Sequence, residues 1–421
     1  FLLFAPVRPA LADGFSPKSA DSSQTHPQVV LKEAKAKDKW PTARLMLLSV
    51  LLSLAVLTRL DSLLIVGVVL FVALVDIFQG GKSATRRTAQ GIYLITPLVL
   101  IVGVWLIWKA RFYGSVLPNT FYVKVASLNS FKRGIIYVYL FFHSYWLVLF
   151  PFVYLICAKR LLQKHNRAWL VLSVSTVVWL LYVVAVGGDF MEFRFIVPVL
   201  PFIFMQIGWL IFHVRAVKLQ VVLVLLVLAG SLHHAWTFSN PSLRYYDVES
   251  TKGLAALLTQ DRTDWIAIGK VLGQSFDYDP QVSIATTAAG AIPFYSRLTT
   301  VDILGLNDKW VARHGEIVAS KPGHQRRAPL SYLIERRVNL LIGHPQMVPI
   351  DSAPPEMPLD DYYFYVKITK NDGLPPNPRI IEIPINPGYK LRVLYLVENP
   401  LVDATIKRKG WMTYPFDRDR R

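Results

Sequence analysis

The chain contains very little cysteine: Cys157 is the single one among 421 residues, and it lies within an apolar run. One thiol can form neither an internal disulfide nor a cysteine-based metal site. The sequence also lacks a P-loop, a GxGxxG segment after a strand, a GxSxG motif and an HExxH motif. No signature of a common soluble enzyme is therefore present.

Acidic residues are scarce as well, since 28 Asp and Glu stand against 46 Lys and Arg for a net charge of +18. No basic-aromatic nucleic-acid motif accompanies this charge, so nucleic acid is not an expected partner. Anionic headgroups, lipid phosphates and the positive-inside bias explain it better. His233 and His234 end an apolar run, and His324 and His344 follow no ligand pattern. No metal site is predicted.

Long apolar runs are what the sequence has in abundance, and residues 44–236 contain nearly all of them. A run of roughly 17–25 apolar residues can cross a bilayer as a helix. We therefore predict an α-helical multi-span membrane bundle for residues 44–236. Residues 1–43 are rich in Ser, Pro, Lys and Ala and predict a disordered, basic cytoplasmic linker. Because the chain begins with Phe1, we expect a fragment that lacks its true N-terminus.

About seven spans are predicted. The run at residues 45–78 is interrupted by TRLDS, which contains Arg59 and Asp61. It predicts either two short spans that meet at this pair or one tilted helix with an internal ion pair, which would make six spans. The remaining spans are predicted at residues 91–108, 142–158, 168–186, 195–212 and 219–236.

Basic loops set the expected orientation. The loops at residues 79–90, 159–167 and 213–218 carry Lys or Arg without acids, so we place them in the cytoplasm. The loop at residues 109–124 falls outside by parity and yet is basic. It predicts either generic headgroup contact or a site for a lipid phosphate.

Residues 237–421 are predicted to form a soluble, extracytoplasmic α/β domain with an antiparallel extension. Helical stretches are predicted at residues 248–258 and 330–337. Strands are predicted for WIAIG (265–269), VSIAT (282–286), TTVDI (299–303), VNLLI (338–342), YYFYVKIT (362–369), RIIEIP (379–384) and LRVLYLV (391–397).

The loop GGDFMEFRFIVPVLP, residues 187–201, places Asp189, Glu192 and Arg194 between two apolar runs. Charges are costly in hydrocarbon, so such a group sits at a membrane surface or in a polar cavity. A plain polar loop is the alternative to a functional one. With Arg59, Asp61 and Lys124, these residues form an expected external layer of charge. Cations there can hold a departing phosphate, and a carboxylate can deprotonate an acceptor hydroxyl.

Three segments resemble the multi-span GT-C glycosyltransferases: GSVLPNTFYVK (114–124), GGDFMEFRFIVPVLP, and AAGAIPFYSRLTTVDILGLND (288–308). Within that superfamily the chain is similar to the mycobacterial terminal arabinofuranosyltransferases and their bacterial homologues, over about residues 44–345. The resemblance implies a polyprenyl-phosphate-linked sugar donor and no certain cofactor. It also implies transfer outside the bacterial cytoplasmic membrane and a C-terminal domain that helps to hold an envelope glycan acceptor.

Matched position by position, the resemblance assigns Asp189 and Arg194 to the family's GGDF loop and Lys124 to its PNTxYxK loop. Asp302, Gly305 and Asp308 fall in its VDxxGLxD segment. Lys124, Arg194 and Arg59 are the expected donor-phosphate ligands, and Lys124 and Arg194 should converge on one pocket within reach of Asp189. Asp61, Asp189 and Glu192 are expected to organise the site, and Asp302 and Asp308 to bind the acceptor, unless they serve only as caps and turns.

The catalytic residue stays unassigned, because in this fold the catalytic aspartate normally lies in the first external loop, which the chain starts too late to contain. The expected function is that of a membrane glycosyltransferase. The alternatives are a transporter or flippase of lipid-linked glycans, which would also need a basic vestibule, and a structural envelope protein. Against a flippase, the two halves show no internal repeat.

Overall fold

The computed structural model describes residues 41–79, 83–124, 130–163, 167–240, 244–245, 248–318, 322–355, 364–368 and 373–416. The chain divides into two compact units. The first unit comprises Phe1–Val116, Phe152–Trp179 and Phe202–Leu210, and the second comprises Leu117–Pro151, Leu180–Pro201 and Ile211–Arg421. The predicted N-terminal linker, residues 1–43, lies outside the described residues except for its last three.

Helices dominate up to residue 237. They are α1 (Thr42–Thr58), α2 (Leu63–Gln79), α3 (Ala84–Tyr113), α4 (Asn119–Lys124), α5 (Ser130–Ser144), α6 (Phe150–Gln163), α7 (Arg167–Ala185), α8 (Leu200–Phe212) and α9 (Val217–Thr237). Within the described residues, four helical segments are long and apolar enough to cross a membrane: Leu60–Gln79, Ala84–Tyr113, Arg167–Ala185 and Val217–Thr237. Thr42–Thr58 and Val197–Phe212 are shorter apolar helices. Seven crossings stay a prediction.

The run at residues 45–78 forms two helices, the first of the two expected alternatives. Arg59 is extended, with φ −151° and ψ 124°, and Leu60–Ser62 form a 3₁₀ turn before α2 begins. Apolar side chains of α1 pack on α3, with Leu45, Leu48 and Leu94 buried in the core of the first unit. The break therefore places the Arg59–Asp61 pair at the junction of two helices.

The single span predicted at residues 142–158 is wrong, because α5 ends at Ser144 and α6 begins at Phe150. Trp146 has a left-handed φ of 58°, which a continuous helix does not allow. Pro151 then occupies the first turn of α6, where its missing N–H costs nothing. The predicted loop at residues 109–124 is also shorter than expected, since α3 runs to Tyr113 and α4 begins at Asn119.

The C-terminal domain, residues 248–416, contains a mixed sheet. Its helices are α10 (Thr251–Ala256), α11 (Trp265–Ser275), α12 (Ala291–Ser296), α13 (Lys309–His314), α14 (Leu330–Glu335) and α15 (Pro400–Lys409). The strands among the described residues are β1 (Arg244–Tyr245), β2 (Val248–Glu249), β3 (Ser283–Thr286), β4 (Thr299–Asp302), β5 (Glu316–Ile317), β6 (Arg326–Arg327), β7 (Leu340–Gly343), β8 (Met347–Pro349), β9 (Arg379–Asn386), β10 (Tyr389–Tyr395) and β11 (Met412–Pro415).

The main sheet has the order β11-β9-β10-β7-β3-β4, and β8 also pairs with β10. Strands β4, β3 and β7 are parallel, whereas β7, β10, β9 and β11 pair antiparallel. Two buried clusters cover its two faces, one with α11 and α15 and the other with α13 and α14. The predicted α/β domain with an antiparallel extension is confirmed.

Two predicted strands in this domain need correction. WIAIG begins α11 instead, because Asp264 caps the helix through a 2.9 Å bond from the Ala267 N–H. Ile268 and Leu272 then recur on one buried face, and helical periodicity over the whole segment outweighs local β-propensity. Of YYFYVKIT, the described residues 364–368 do not form a strand, and the others lie outside the described residues.

Candidate functional site

The charged loop between α7 and α8 begins with two glycines whose backbone conformation favours glycine. Gly187 and Gly188 have φ values of 84° and 69°. A Cβ on Gly188 would lie 2.6 Å from the ring of Tyr137, and one on Gly187 would lie 3.0 Å from Ser130. The loop can therefore lie directly against α5, and the hydroxyl of Tyr137 donates to the carbonyl of Met191 at 3.2 Å.

Asp189 and Arg194 form the ion pair at the centre of this loop, with Oδ2 and Nη2 2.5 Å apart. The Asp189 carboxylate is buried, whereas the Arg194 side chain is 44% exposed. Phe193, which precedes Arg194 in the sequence, packs against two other aromatic rings. The distance between ring centroids is 5.6 Å to Tyr137 and 5.3 Å to Phe238. A buried carboxylate thus holds one end of a guanidinium whose other end faces outward.

Glu192 serves a different purpose, since it joins the loop to the C-terminal domain. Its Oε2 accepts the Thr251 N–H of α10 at 2.8 Å, and its Oε1 lies 3.2 Å from His234 Nε2. Its own N–H donates to the carbonyl of Glu249 at 3.0 Å, and the Glu249 N–H donates to the carbonyl of Phe190 at 2.7 Å. The loop therefore continues the backbone pairing of β2.

Two of the segments that carry the family resemblance make further contacts within the second unit. Helix α4 of the first segment packs on α13, which follows the third, and the Arg313 guanidinium lies 4.1 Å from the ring centroid of Tyr122. Phe190 of the charged loop meets His324 at 5.1 Å between ring centroids. Lys124 is the last residue of α4, but its side chain lies outside what the structure describes. Its convergence with Arg194 stays a prediction.

Arg59 and Asp61 form a local, two-pronged ion pair at the break between α1 and α2. Arg59 Nε donates to Oδ1 at 3.0 Å and Nη2 donates to Oδ2 at 2.6 Å. The pair belongs to the first unit, whereas Asp189 and Arg194 belong to the second. Its geometry stabilises the turn between the helices, and a role in donor binding stays a prediction.

Asp302 ends β4 and is engaged by its own loop. Its Oδ1 accepts the Leu304 N–H at 2.9 Å and its Oδ2 accepts the Asn307 N–H at 2.8 Å. Burial raises the pKa of this carboxyl, and the two backbone bonds oppose the rise. Gly305 sits inside the same turn with φ 76°, where a Cβ would lie 2.6 Å from the Ala312 nitrogen. The hydrogen bonds of this turn explain the position of Asp302 without any contact to an acceptor substrate.

Asp308 caps α13, because its Oδ1 accepts the Trp310 and Val311 N–H groups, both at 2.9 Å. The hydroxyl of Tyr332 also donates to this carboxylate, at 3.0 Å to Oδ2. Burial and the adjacent Asp308 charge raise the pKa of Tyr332 to about 12. Capping of α13 and the hydrogen bond from Tyr332 explain the position of Asp308. Binding of an acceptor substrate by Asp302 or Asp308 stays a prediction.

Sequence reasoning missed two charged groups. Asp76, the lone acid of the apolar helix α2, pairs with Arg167 at the start of α7 within the first unit. An acid inside an apolar run is itself a signal of a buried partner. In the C-terminal domain, Glu382 lies between Lys390 and Arg392, each 2.8 Å away. Among the residues that the structure describes, no three His, Cys, Asp or Glu side chains gather as metal ligands.

Comparison with known proteins reaches part of the C-terminal domain. Residues 255–390 match a family model described as a domain of unknown function (DUF8728). The match begins inside α10 and ends inside β10, so it covers less than half of the chain and excludes the charged loop. No curated protein and no solved structure matches the chain.

Replacing Asp302 with asparagine is expected to destabilise the C-terminal domain by about 1–3 kcal/mol, because one amide position would face the N–H of Leu304 or Asn307 without accepting it. Denaturant unfolding followed by tryptophan fluorescence measures the loss. Asp279→Asn is the matched control: among the described residues its carboxylate accepts the Gln281 N–H alone, at 2.8 Å, and an amide oxygen can replace it there. Unchanged stability in Asp302→Asn would contradict the turn role.

Proposed function

We propose that this protein is a membrane glycosyltransferase that moves a sugar from a polyprenyl-phosphate donor to a cell-envelope glycan. The observation that carries the proposal is the Asp189–Arg194 pair, with the guanidinium 44% exposed, in a short loop between the apolar helices α7 and α8. The segments that resemble GT-C glycosyltransferases support it, because residues 117–124, 187–201 and 288–308 all lie in the unit that contains this pair.

The proposed site is on the extracytoplasmic face of a bacterial cytoplasmic membrane. Residues 109–124 and the C-terminal domain would lie outside, and the basic segments at residues 82–87 and 159–167, at the helix ends, would lie in the cytoplasm. Helices α2, α3, α7 and α9 have the length and apolar character for four of the crossings in this arrangement. The polyprenyl tail of the donor would stay in the bilayer while its phosphate reaches the charged loop.

In this reaction Arg194 would bind the donor phosphate and stabilise the charge that develops on it as the glycosidic bond to the phosphate breaks. Lys124 would supply a second cation. Asp189 would act as a positioning residue, because its buried carboxylate already holds Arg194. Glu192 is bonded to Thr251 and lies beside His234, so it would fix the loop and not accept a proton. We assign no general base.

The test of this function is transfer of labelled sugar in membranes that carry the full-length protein. A polyprenyl-phosphate sugar should be consumed and a new glycosidic bond formed on an envelope glycan. Use of a nucleotide sugar in place of the lipid donor would refute the proposal. Movement of the intact lipid-linked sugar across proteoliposomes, without a new bond, would show a flippase instead.

Arg194→Ala is expected to reduce donor use about tenfold or more, because a charge-assisted contact to a phosphate contributes about 1.5–3 kcal/mol. Because the variant also removes the ion pair of the buried Asp189 carboxylate, a melting curve accompanies the assay and shows whether the fold persists. Transfer rates at several donor concentrations measure the effect. Lys132→Ala, which removes an exposed cation from α5, is the matched control and should leave donor use unchanged. Equal losses in the two variants would mean a general effect of charge.

A further inference from the structure

One surface of the C-terminal domain combines exposed apolar and basic side chains. It consists of Lys309, Trp310, Arg313 and His314 on α13 and of Ile317 on β5, and we call it the α13 face. Ile317 is 63% exposed and Trp310 is partly exposed. The nearby acids are engaged, because Asp308 caps α13 and Glu316 pairs with Arg327 at 2.8 Å. The face is therefore apolar at its centre and positive around it.

Contacts within the second unit connect this face to α4, and connect the neighbouring β5–β6 segment to the charged loop and thereby to the apolar helix α9. Arg313 packs over Tyr122 of α4, the short helix between α3 and α5. His324, in the connection between β5 and β6, contacts Phe190 of the charged loop. Phe193 of that loop reaches His234 near the end of α9, at 5.6 Å between ring centroids. Helix α9 is long and apolar enough to cross a bilayer.

Aromatic and basic side chains together are typical of the headgroup layer, where amphipathic rings and cations meet lipid phosphates. An exposed isoleucine and tryptophan beside two cations fit such a layer better than bulk water. We propose that the α13 face rests on the outer surface of the bilayer. Ile317 and Trp310 contact the lipid beneath the headgroups, while Lys309 and Arg313 contact the phosphates of anionic lipids. This inference rests on the proposed membrane placement but not on glycosyl transfer.

The same sheet provides an internal reference that should be far from lipid. Helix α13 follows β4, which lies at one edge of the main sheet, and β11 lies at the opposite edge, five strand steps away. At about 4.8 Å a step, the two edges are separated by about 24 Å. Met412 on β11 is 59% exposed, close to the value for Ile317. Ile317 and Met412 therefore lie at different places on the domain but have nearly the same exposure.

The experiment places a nitroxide label at one position at a time in the full chain. Cys157→Ser removes the native thiol, and Ile317→Cys, Met412→Cys and Leu225→Cys provide the labelling sites; Leu225 is on α9 and is 58% exposed. The protein is placed in vesicles of phosphatidylcholine and phosphatidylglycerol. Collisions with oxygen, which concentrates in lipid, are compared with collisions with a water-soluble nickel chelate.

We expect Leu225 to be lipid-exposed, Met412 to be water-exposed, and Ile317 to give an oxygen-to-nickel ratio several-fold higher than Met412. Vesicles of phosphatidylcholine alone should move the Ile317 value toward that of Met412. If Ile317 and Met412 behave alike in anionic vesicles, or if Ile317 is shielded from both reagents by protein, the lipid contact is refuted. Water exposure at Leu225 would refute the membrane placement as well, whereas failed sugar transfer alone would leave the lipid contact standing.

Discussion

Glu382→Gln is expected to cost about 3–5 kcal/mol of folding free energy, the largest stability effect that we predict for the C-terminal domain. Glu382 is 4% exposed and lies between Lys390 Nζ and Arg392 Nε, both at 2.8 Å. Lys390 also donates to the carbonyl of Ser352 at 3.1 Å, and Arg392 donates to that of Ala353. A neutral amide would remove the carboxylate charge that these two buried cations face.

Three side chains of neighbouring antiparallel strands make this group, since Arg392 faces Glu382 directly across β9 and β10. They tie the segment at residues 352–353 to one face of the sheet. The loss of Glu382 should therefore loosen that segment in addition to lowering global stability. Thermal or denaturant unfolding of the detergent-solubilised protein gives the first effect, and proteolysis near residue 352 gives the second.

Glu316→Gln is the matched control, because Glu316 pairs with Arg327 at the same 2.8 Å but is 42% exposed. An exposed pair contributes about 0–1 kcal/mol, so this variant should unfold almost as the parent does. Equal losses in the two variants would show that burial does not decide the cost. An unchanged midpoint in Glu382→Gln would show that the two cations are solvated despite their low exposure.

The sequence predicted correctly those helices and strands that follow from local hydropathy and β-propensity. The apolar runs located α7 and α9 to within a few residues, and the β-branched runs located β3, β4, β7, β9 and β10. The break at residues 145–149 was missed because hydropathy there is continuous. It depends on the left-handed backbone of Trp146 and on Pro151, which starts a new helix.

The candidate site also contains some features that the sequence predicted and others that it could not predict. The loop that contains Asp189 and Arg194 stood out because charge is rare between apolar runs. The partners of Glu192 could not be predicted, since Thr251 and His234 lie some forty to sixty residues further along the chain and have no local signal. Glu382 gave no signal either, because its two cations meet it only when β9 and β10 pair.

Gly134→Ala is expected to separate α5 from the end of α7 and so to displace the charged loop. A Cβ at position 134 would lie 2.2 Å from the carbonyl oxygen of Val184 and 2.6 Å from its Cα. These are backbone atoms, so no side-chain rotation can relieve the overlap. Small residues allow such close approach of helices, and overpacking typically costs about 1–3 kcal/mol, or more where backbone must move.

The displacement should reach the charged loop because Gly187 and Gly188 follow Val184 within four residues. Both glycines also lie close to α5, Gly187 at Ser130 and Gly188 at Tyr137. We therefore expect Gly134→Ala to lower both thermal stability and, under the proposed function, sugar transfer. Gly103→Ala is the matched control: it lies inside α3 with nothing within 4 Å of the added Cβ. Alanine there should be neutral or stabilising by up to about 1 kcal/mol, given its higher helix propensity. If both variants match the parent in melting temperature, α5 and α7 are not in direct backbone contact, and the support that α5 gives to the charged loop is lost.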